Sequence, residues 1–171
     1  MIVLGAFRVH SGETEYGIKL TEEGLASQLQ YGNAGWLGSV LAVCASSYMR
    51  CGNLGRASEL LGQAISHAEK TSARVLLPEN KRLQAEVLLL TRRIDPSEAV
   101  ALLQEAVVLA QQQGAVALAW RATTSLARLH AAQGRDDQAR DLLRAQFTGP
   151  FEGFASPDLA EGMQLFHELR C

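Results

Sequence analysis

The stretch Ala127–Leu143, ARLHAAQGRDDQARDLL, breaks one helical pattern at Gly134-Arg135-Asp136-Asp137 and begins another at once. Small and apolar residues recur at helical spacing on both sides of the break, so it reads as two antiparallel helices joined by a tight turn. Glycine suits the left-handed residue that ends the first helix. Asp136 and Asp137 place negative charge at the positive end of the second.

The same layout recurs along the chain. Tyr48, Gly52, Ala57, Leu61 and Ala64 correspond to His130, Gly134, Ala139, Leu143 and Gln146. Leu90, Ile94, Ala99, Leu103 and Ala106 form a third series, with Asp95-Pro96 in place of the turn glycine. A degraded first copy runs through Leu4, Gly5, Gly12, Gly17, Thr21 and Gly24. With Gly17, Ala57, Ala99 and Ala139 aligned, the spacings are 40, 42 and 40 residues. A period of that length marks a helical solenoid, in which each hairpin buries its apolar stripe only against its neighbours.

The expected fold is all-α: a right-handed superhelical solenoid of about four helix hairpins closed by a C-terminal capping helix. As a single domain over residues 1–171, its repeats fall at about 1–33, 34–74, 75–113 and 114–149, with the cap at 150–171. Helix A of each repeat is placed at 1–11, 35–51, 78–93 and 114–133, and helix B at 15–31, 54–71, 96–113 and 136–147. The closing helix is placed at 157–169. Asp95-Pro96-Ser97-Glu98 supplies an N-cap, a first-position proline and a glutamate reaching back from the third. The first A helix is short for this array, so either the chain starts inside a repeat or its N-terminal end needs a partner.

Composition agrees with packed helices. The chain has 171 residues, 47% of them apolar and 20% charged, and a net charge of −2. That balance excludes a disordered tail and a nucleic-acid binder working by bulk charge. No apolar run is long enough for a membrane span, and the opening residues lack the pattern of a secretory leader. Cys44 and Cys51 lie seven residues apart on one helix, ~10 Å at 1.5 Å per residue and too far to bridge. A reducing cytoplasm is the expected location.

Tyr48, Gly52, Ala57, Leu61 and Ala64 resemble the tetratricopeptide consensus for the end of helix A and for helix B, in a longer-helix variety of that repeat. The C-terminal half, from QQQGAVALAWRATTSLARLHAAQGRDDQARDLL to Glu152, Gly153, Phe154, Pro157, Asp158 and Leu159, resembles the tail of bacterial predicted ATPases of the adenylate-cyclase and LuxR-like regulator type. That likeness covers residues 80–170; residues 1–79 match only at the level of the repeat. It implies the helical end of a larger signalling or transcriptional regulator. The Gly-x4-Gly-Lys-Ser/Thr loop of such regulators is missing here, so their ATP site is not carried over.

Catalytic chemistry finds no support. His10, His67, His130 and His167 fall in different repeats without metal-ligand spacing, and no metal or cofactor is expected. His130 takes the tetratricopeptide tyrosine slot and reads as a packed ring capped by a polar neighbour. Cys44 falls in an apolar slot, and Cys51 beside the turn. GNLGRAS, at 52–58, lacks the lysine of a phosphate loop and reads as a capped helical turn.

In the tetratricopeptide register the exposed A-helix positions line a concave face. They are Ser39, Ala42, Ser46, Met49 and Arg50 in the second repeat and Lys81, Gln84, Leu88, Thr91 and Arg92 in the third. The fourth gives Arg121, Thr124, Arg128 and Ala131. The candidate binding set is therefore Arg50, Lys81, Gln84, Arg92, Arg121, Thr124 and Arg128. Its cations suit a protein or peptide bearing carboxylates, since arginine pairs bidentately with them. The expected function is non-enzymatic protein binding, with self-association through the N-terminal repeat and no direct contact with nucleic acid or membrane. The alternative is a small-molecule effector-sensing domain of such a regulator.

Overall fold

The computed structural model describes residues 1–31, 34–147 and 157–169. Among these there are nine helices and no strands: α1 (Ile2–His10), α2 (Thr14–Tyr31), α3 (Ala34–Arg50), α4 (Leu54–Lys70), α5 (Leu77–Leu90), α6 (Pro96–Gln112), α7 (Val116–Ala132), α8 (Asp136–Phe147) and α9 (Pro157–Glu168). They form two compact units, Met1–Arg93 and Ile94–Cys171. The expected third hairpin contributes α5 to the first unit and α6 to the second.

Each unit is built by antiparallel neighbours. In the first, α1 packs on α2, α3 on both, and α5 on α3 and α4; in the second, α7 packs on α6, α8 and α9. The small residues of the repeat lie inside the packing. Gly17, Ala57, Ala99 and Ala139 are all buried. Four residues on, Thr21, Leu61, Leu103 and Leu143 are buried as well. Around them the first unit gathers Leu25, Leu41, Cys44, Tyr48, Leu60, Leu83 and Val87. The second unit gathers Trp120, Ala127 and Phe166, with Leu159, Leu165 and Leu169 from the C-terminal end.

The ends of three A helices repeat a single geometry. After α1, α3 and α7 the chain turns through a left-handed glycine: Gly12, Gly52 and Gly134, at φ 91°, 75° and 71°. In each case the following amide reaches back five residues: Glu13 N to Arg8 O at 2.9 Å, Asn53 N to Tyr48 O at 3.0 Å, and Arg135 N to His130 O at 2.9 Å. These bonds occupy carbonyls that a helix end leaves open.

The third A helix departs from expectation. It ends at Leu90, three residues short of the expected 93, and the left-handed residue is Arg92 at φ 54°, with Arg93 N bonded to Leu88 O at 2.9 Å. The turns therefore fall at 12, 52, 92 and 134. The two extra residues of the 42-residue spacing lie after Arg92, where Pro96 opens α6 four residues past the turn instead of two. The expected capping box forms there: Asp95 Oδ1 accepts from Ser97 N at 2.7 Å and Glu98 N at 3.0 Å, and Glu98 Oε2 accepts from Asp95 N at 3.0 Å. The Ser97 hydroxyl also donates to Asp95 Oδ1, at 2.6 Å, and it and the two amides hold the Asp95 carboxyl below its ordinary value.

α1 and α2 approach through backbone. A methyl placed at Gly5 would stand 2.4 Å from Thr21 Oγ1 and 2.7 Å from Gly17 O, and one at Gly24 would stand 2.4 Å from Ile2 Cγ1. Gly62, in the middle of α4, has open space around it. Gly5→Ala is expected to cost about 1–3 kcal/mol through overpacking, whereas Gly62→Ala gains about 0.5–1 kcal/mol of helix propensity. Urea unfolding midpoints of the two variants should move in opposite directions.

Candidate functional site

The two-residue offset in the third repeat changes which side chains of α5 share the register of α3 and α7. With turns at 52, 92 and 134, the equivalents of Ser39, Ala42 and Ser46 are Glu79, Arg82 and Glu86 in α5, and Arg121, Thr124 and Arg128 in α7. Lys81 and Gln84 correspond instead to Leu41 and Cys44, which point into the core of the first unit. Both are half-buried. Arg92 is the turn residue and lies on no helix face. Of the candidate set, Arg50 is exposed at the last position of α3.

The α5 line holds a charged triad that the sequence register missed. Arg82 Nη2 and Nε donate to the two carboxylate oxygens of Glu79 at 2.8 and 2.9 Å, and Nη1 donates to Glu86 at 2.6 Å. Glu79 and the Arg82 side chain are nearly buried. Burial disfavours the guanidinium charge, but the two carboxylates outweigh it and hold the Arg82 pKa above its ordinary value. The i, i+3 and i, i+4 spacings of Glu79, Arg82 and Glu86 signalled this pairing.

In the second unit α9 covers part of the expected face. Thr124 is buried, its Oγ1 has no hydrogen-bond partner, and a methyl at Gly162 of α9 would come within 3.1 Å of it and 3.0 Å of Trp120. Arg128 pairs with Glu161 of α9, and Arg140 Nε donates to Leu169 O at 2.9 Å. Arg121 and Arg128 are both exposed on α7, seven residues apart. Glu152, Gly153 and Phe154, which carried part of the regulator likeness, lie outside the described residues.

The tyrosine slot is filled in two ways. Tyr48 Oη donates to Glu22 Oε1 of α2 at 2.7 Å, and burial together with that carboxylate pushes the phenol up to about 12. His130 is packed as expected but lacks the expected polar cap: its Nδ1 and the nearby Arg135 Nε are buried with no hydrogen-bond partner. Burial first, and the Arg135 charge second, lower the His130 pKa.

Cys44 is buried, and desolvation pushes its thiol up to about 11; the half-buried Cys51 shifts in the same direction by burial. Asn53 caps α4 by accepting from Arg56 N at 3.2 Å, so the 52–58 stretch is a capped helical turn. Among the described residues no group of histidine, cysteine and carboxylate side chains has metal-site geometry, and no helix is long and apolar enough to cross a membrane.

No family model matches the chain, and no curated protein does. Solved structures do. A TPR-like repeat protein of Podosopora anserina, a candidate kinesin light chain with nearly identical repeats, matches at TM-score 0.69 and 18% identity, over 98% of this chain and 82% of that one. BtubC (BKLC) from P. vanneervenii matches at TM-score 0.76 and 19% identity, over 98% of this chain and 69% of that one. The fold is thus an all-α, tetratricopeptide-like helical-repeat fold.

Two outcomes follow. Arg82→Met leaves two carboxylates without their counter-charge and should cost about 2–3 kcal/mol; adding Glu79→Gln and Glu86→Gln should restore most of the unfolding midpoint. The second concerns pH. The unfolded His130 ring takes up its proton near its ordinary pKa of 6.5, while the folded ring takes it up only at lower pH. Its contribution to stability is therefore complete above pH 6.5 and shrinks as the pH falls below it. In His130→Tyr, thermal unfolding followed from pH 8 to 5 should lack that component.

Proposed function

We propose that this chain is a non-enzymatic, tetratricopeptide-like protein-interaction module of a bacterial ATP-binding signalling or transcriptional regulator, binding a protein or peptide along its A-helix face. The repeat fold supports protein partners as a class. The likeness of residues 80–170 to regulator tails supports the setting.

The observation that carries the binding mode is the pair Arg121 and Arg128, exposed two turns apart on α7. At 1.5 Å per residue their backbones stand ~10 Å apart. Carboxylates at that spacing on an extended or helical segment suit two guanidinium forks. Arg128 already holds Glu161 of α9, so a partner carboxylate takes the place of an internal one. Because both side chains are exposed, the pairing contributes specificity and association rate more than affinity.

Fluorescence anisotropy with labelled glutamate-bearing helical peptides and their glutamine counterparts tests the reading. Binding should favour the acidic series, weaken with salt, and fall about tenfold in Arg121→Glu/Arg128→Glu, a change of about 1.4 kcal/mol. Equal binding of both peptide series would defeat the charged-face reading. A raised unfolding midpoint with sugars, nucleotides or organic acids, and none with peptides, would assign the chain to effector sensing instead.

A further inference from the structure

In the second unit one helix lies across the surface that the charged-face reading needs open. Arg121, Thr124 and Arg128 fall at i, i+3 and i+7, so they form one stripe along α7, with Thr124 between the two exposed arginines. α9 rests on the middle of that stripe. A methyl at Gly162 would stand 3.1 Å from Thr124 Oγ1 and 3.0 Å from Trp120 Cζ3, and Glu161, one residue earlier, pairs with Arg128. A segment that bridges both guanidinium groups has to cross Thr124, and α9 already covers it.

The docking contact combines favourable and unfavourable terms. Thr124 is 3% exposed and its Oγ1 has no hydrogen-bond partner. Comparable helix hydroxyls return to the carbonyl four residues back: Thr21 to Gly17 at 2.9 Å, Ser47 to Val43 at 3.1 Å and Thr91 to Val87 at 2.7 Å. A buried hydroxyl left unpaired costs free energy that undocking recovers. Gly162 permits the close approach, but a glycine inside a helix lowers that helix's own stability. The Arg128 and Glu161 side chains are 44% and 53% exposed, so their pairing contributes little net. What holds α9 is mainly apolar: Phe166 is buried, and Leu159, Leu165 and Leu169 pack on the cluster of Trp120, Ala127 and Leu143, with Arg140 Nε on Leu169 O at 2.9 Å.

We propose that α9 is an internal competitor for the α7 face: docked, it covers Thr124 and engages Arg128, and an acidic amphipathic helix of a partner binds Arg121 and Arg128 by displacing it. This rests on the charged-face reading and names the regulation of that same site. α9 itself shows what the displacing helix carries. Leu159, Glu161, Gly162, Leu165 and Phe166 supply a carboxylate for Arg128, a small residue over Thr124, and apolar side chains for the core that undocking uncovers. Such a helix laid in a groove is read by residues at these helical spacings. A second carboxylate on the partner helix, set for Arg121, gives it an advantage over α9.

The test uses the full chain in four forms: native, Glu161→Gln, and Thr124→Cys/Gly162→Cys either oxidised or reduced. The 3.1 Å from Thr124 Oγ1 to a methyl at 162 suits a disulfide, in which each sulfur stands about 3 Å from the opposite Cβ. In the native chain, amides of α9 should exchange about tenfold or more faster than those of residues 120–129 in α7, and faster again with the glutamate-bearing peptides bound. Glu161→Gln should bind those peptides about threefold more tightly. The oxidised form should bind them about tenfold or more weaker than its reduced form, because the competitor can no longer leave. α9 amides that exchange only as slowly as those of α7, or equal peptide binding by the oxidised and reduced forms, would overturn the proposal: α9 would then be a fixed part of the unit, and the charged-face reading would stand without it. Glutamate peptides that bind none of the four forms would take down both readings together.

Discussion

The structure depends on how closely helix B can approach helix A. At the point of approach within the units the chain places Gly17, Ala57 and Ala139, and each is buried. A residue with more than a methyl group there would hold the two helices apart and leave voids on either side, and dense packing is what makes dispersion contacts collectively large. With the small residue in place, the side chain one turn on lies inside the hairpin. It is Leu61 in α4 and Leu143 in α8, and Thr21 in the first hairpin, where the hydroxyl bonds back to Gly17 O at 2.9 Å. The first hairpin goes further and replaces side-chain contact with backbone contact at Gly5, Gly17 and Gly24. One consequence is that α1 meets α2 through Gly5 and the side chains of Ile2 and Val9, while Leu4 and Phe7 stay exposed.

Reversal of the chain from helix A to helix B is the second constraint, and one turn geometry meets it at each of these turns. Glycine takes the left-handed position at 12, 52 and 134 without steric cost, whereas Arg92 takes it at a cost of order 1 kcal/mol. The surrounding bonds hold Arg92 there: its amide reaches Leu89 O at 3.0 Å and the next amide reaches Leu88 O. Just beyond it come Ile94 and Asp95, the two inserted residues, and a helix start closed by a full capping box. This strained turn and strong cap fall where the first compact unit ends and the second begins.

Much of this could be read from the residues alone, because helix period, small-residue spacing and cap chemistry are local. The helices of the structure begin and end within a residue or two of the expected bounds, except at α5. There the sequence offers no glycine to mark the turn, and Asp95-Pro96 drew the alignment two residues too far along the chain. That slip exchanged Glu79, Arg82 and Glu86 for Lys81 and Gln84, turning a self-neutralising triad into an expected cation patch. The burial of Thr124 was hidden for another reason. It depends on where α9 docks, and contact between segments more than thirty residues apart leaves no periodic trace in either one. His130 was assigned to the tyrosine slot, yet its missing polar cap depends on which side chains the helices packed on α7 bring near the ring, and the local pattern of α7 does not carry that.

Cys44 gives the first unit an internal reporter. Its sulfur lies among Leu41, Ala45 and Leu83 in the core and is held in the protonated state by burial, so electrophiles that attack thiolates meet an unreactive group while the unit stays closed. Cys51, at the turn after α3, is half-accessible and should be alkylated ahead of it. In a single labelling time course the rate at Cys44 reports how often the α3–α4 core opens, with Cys51 as the accessible reference.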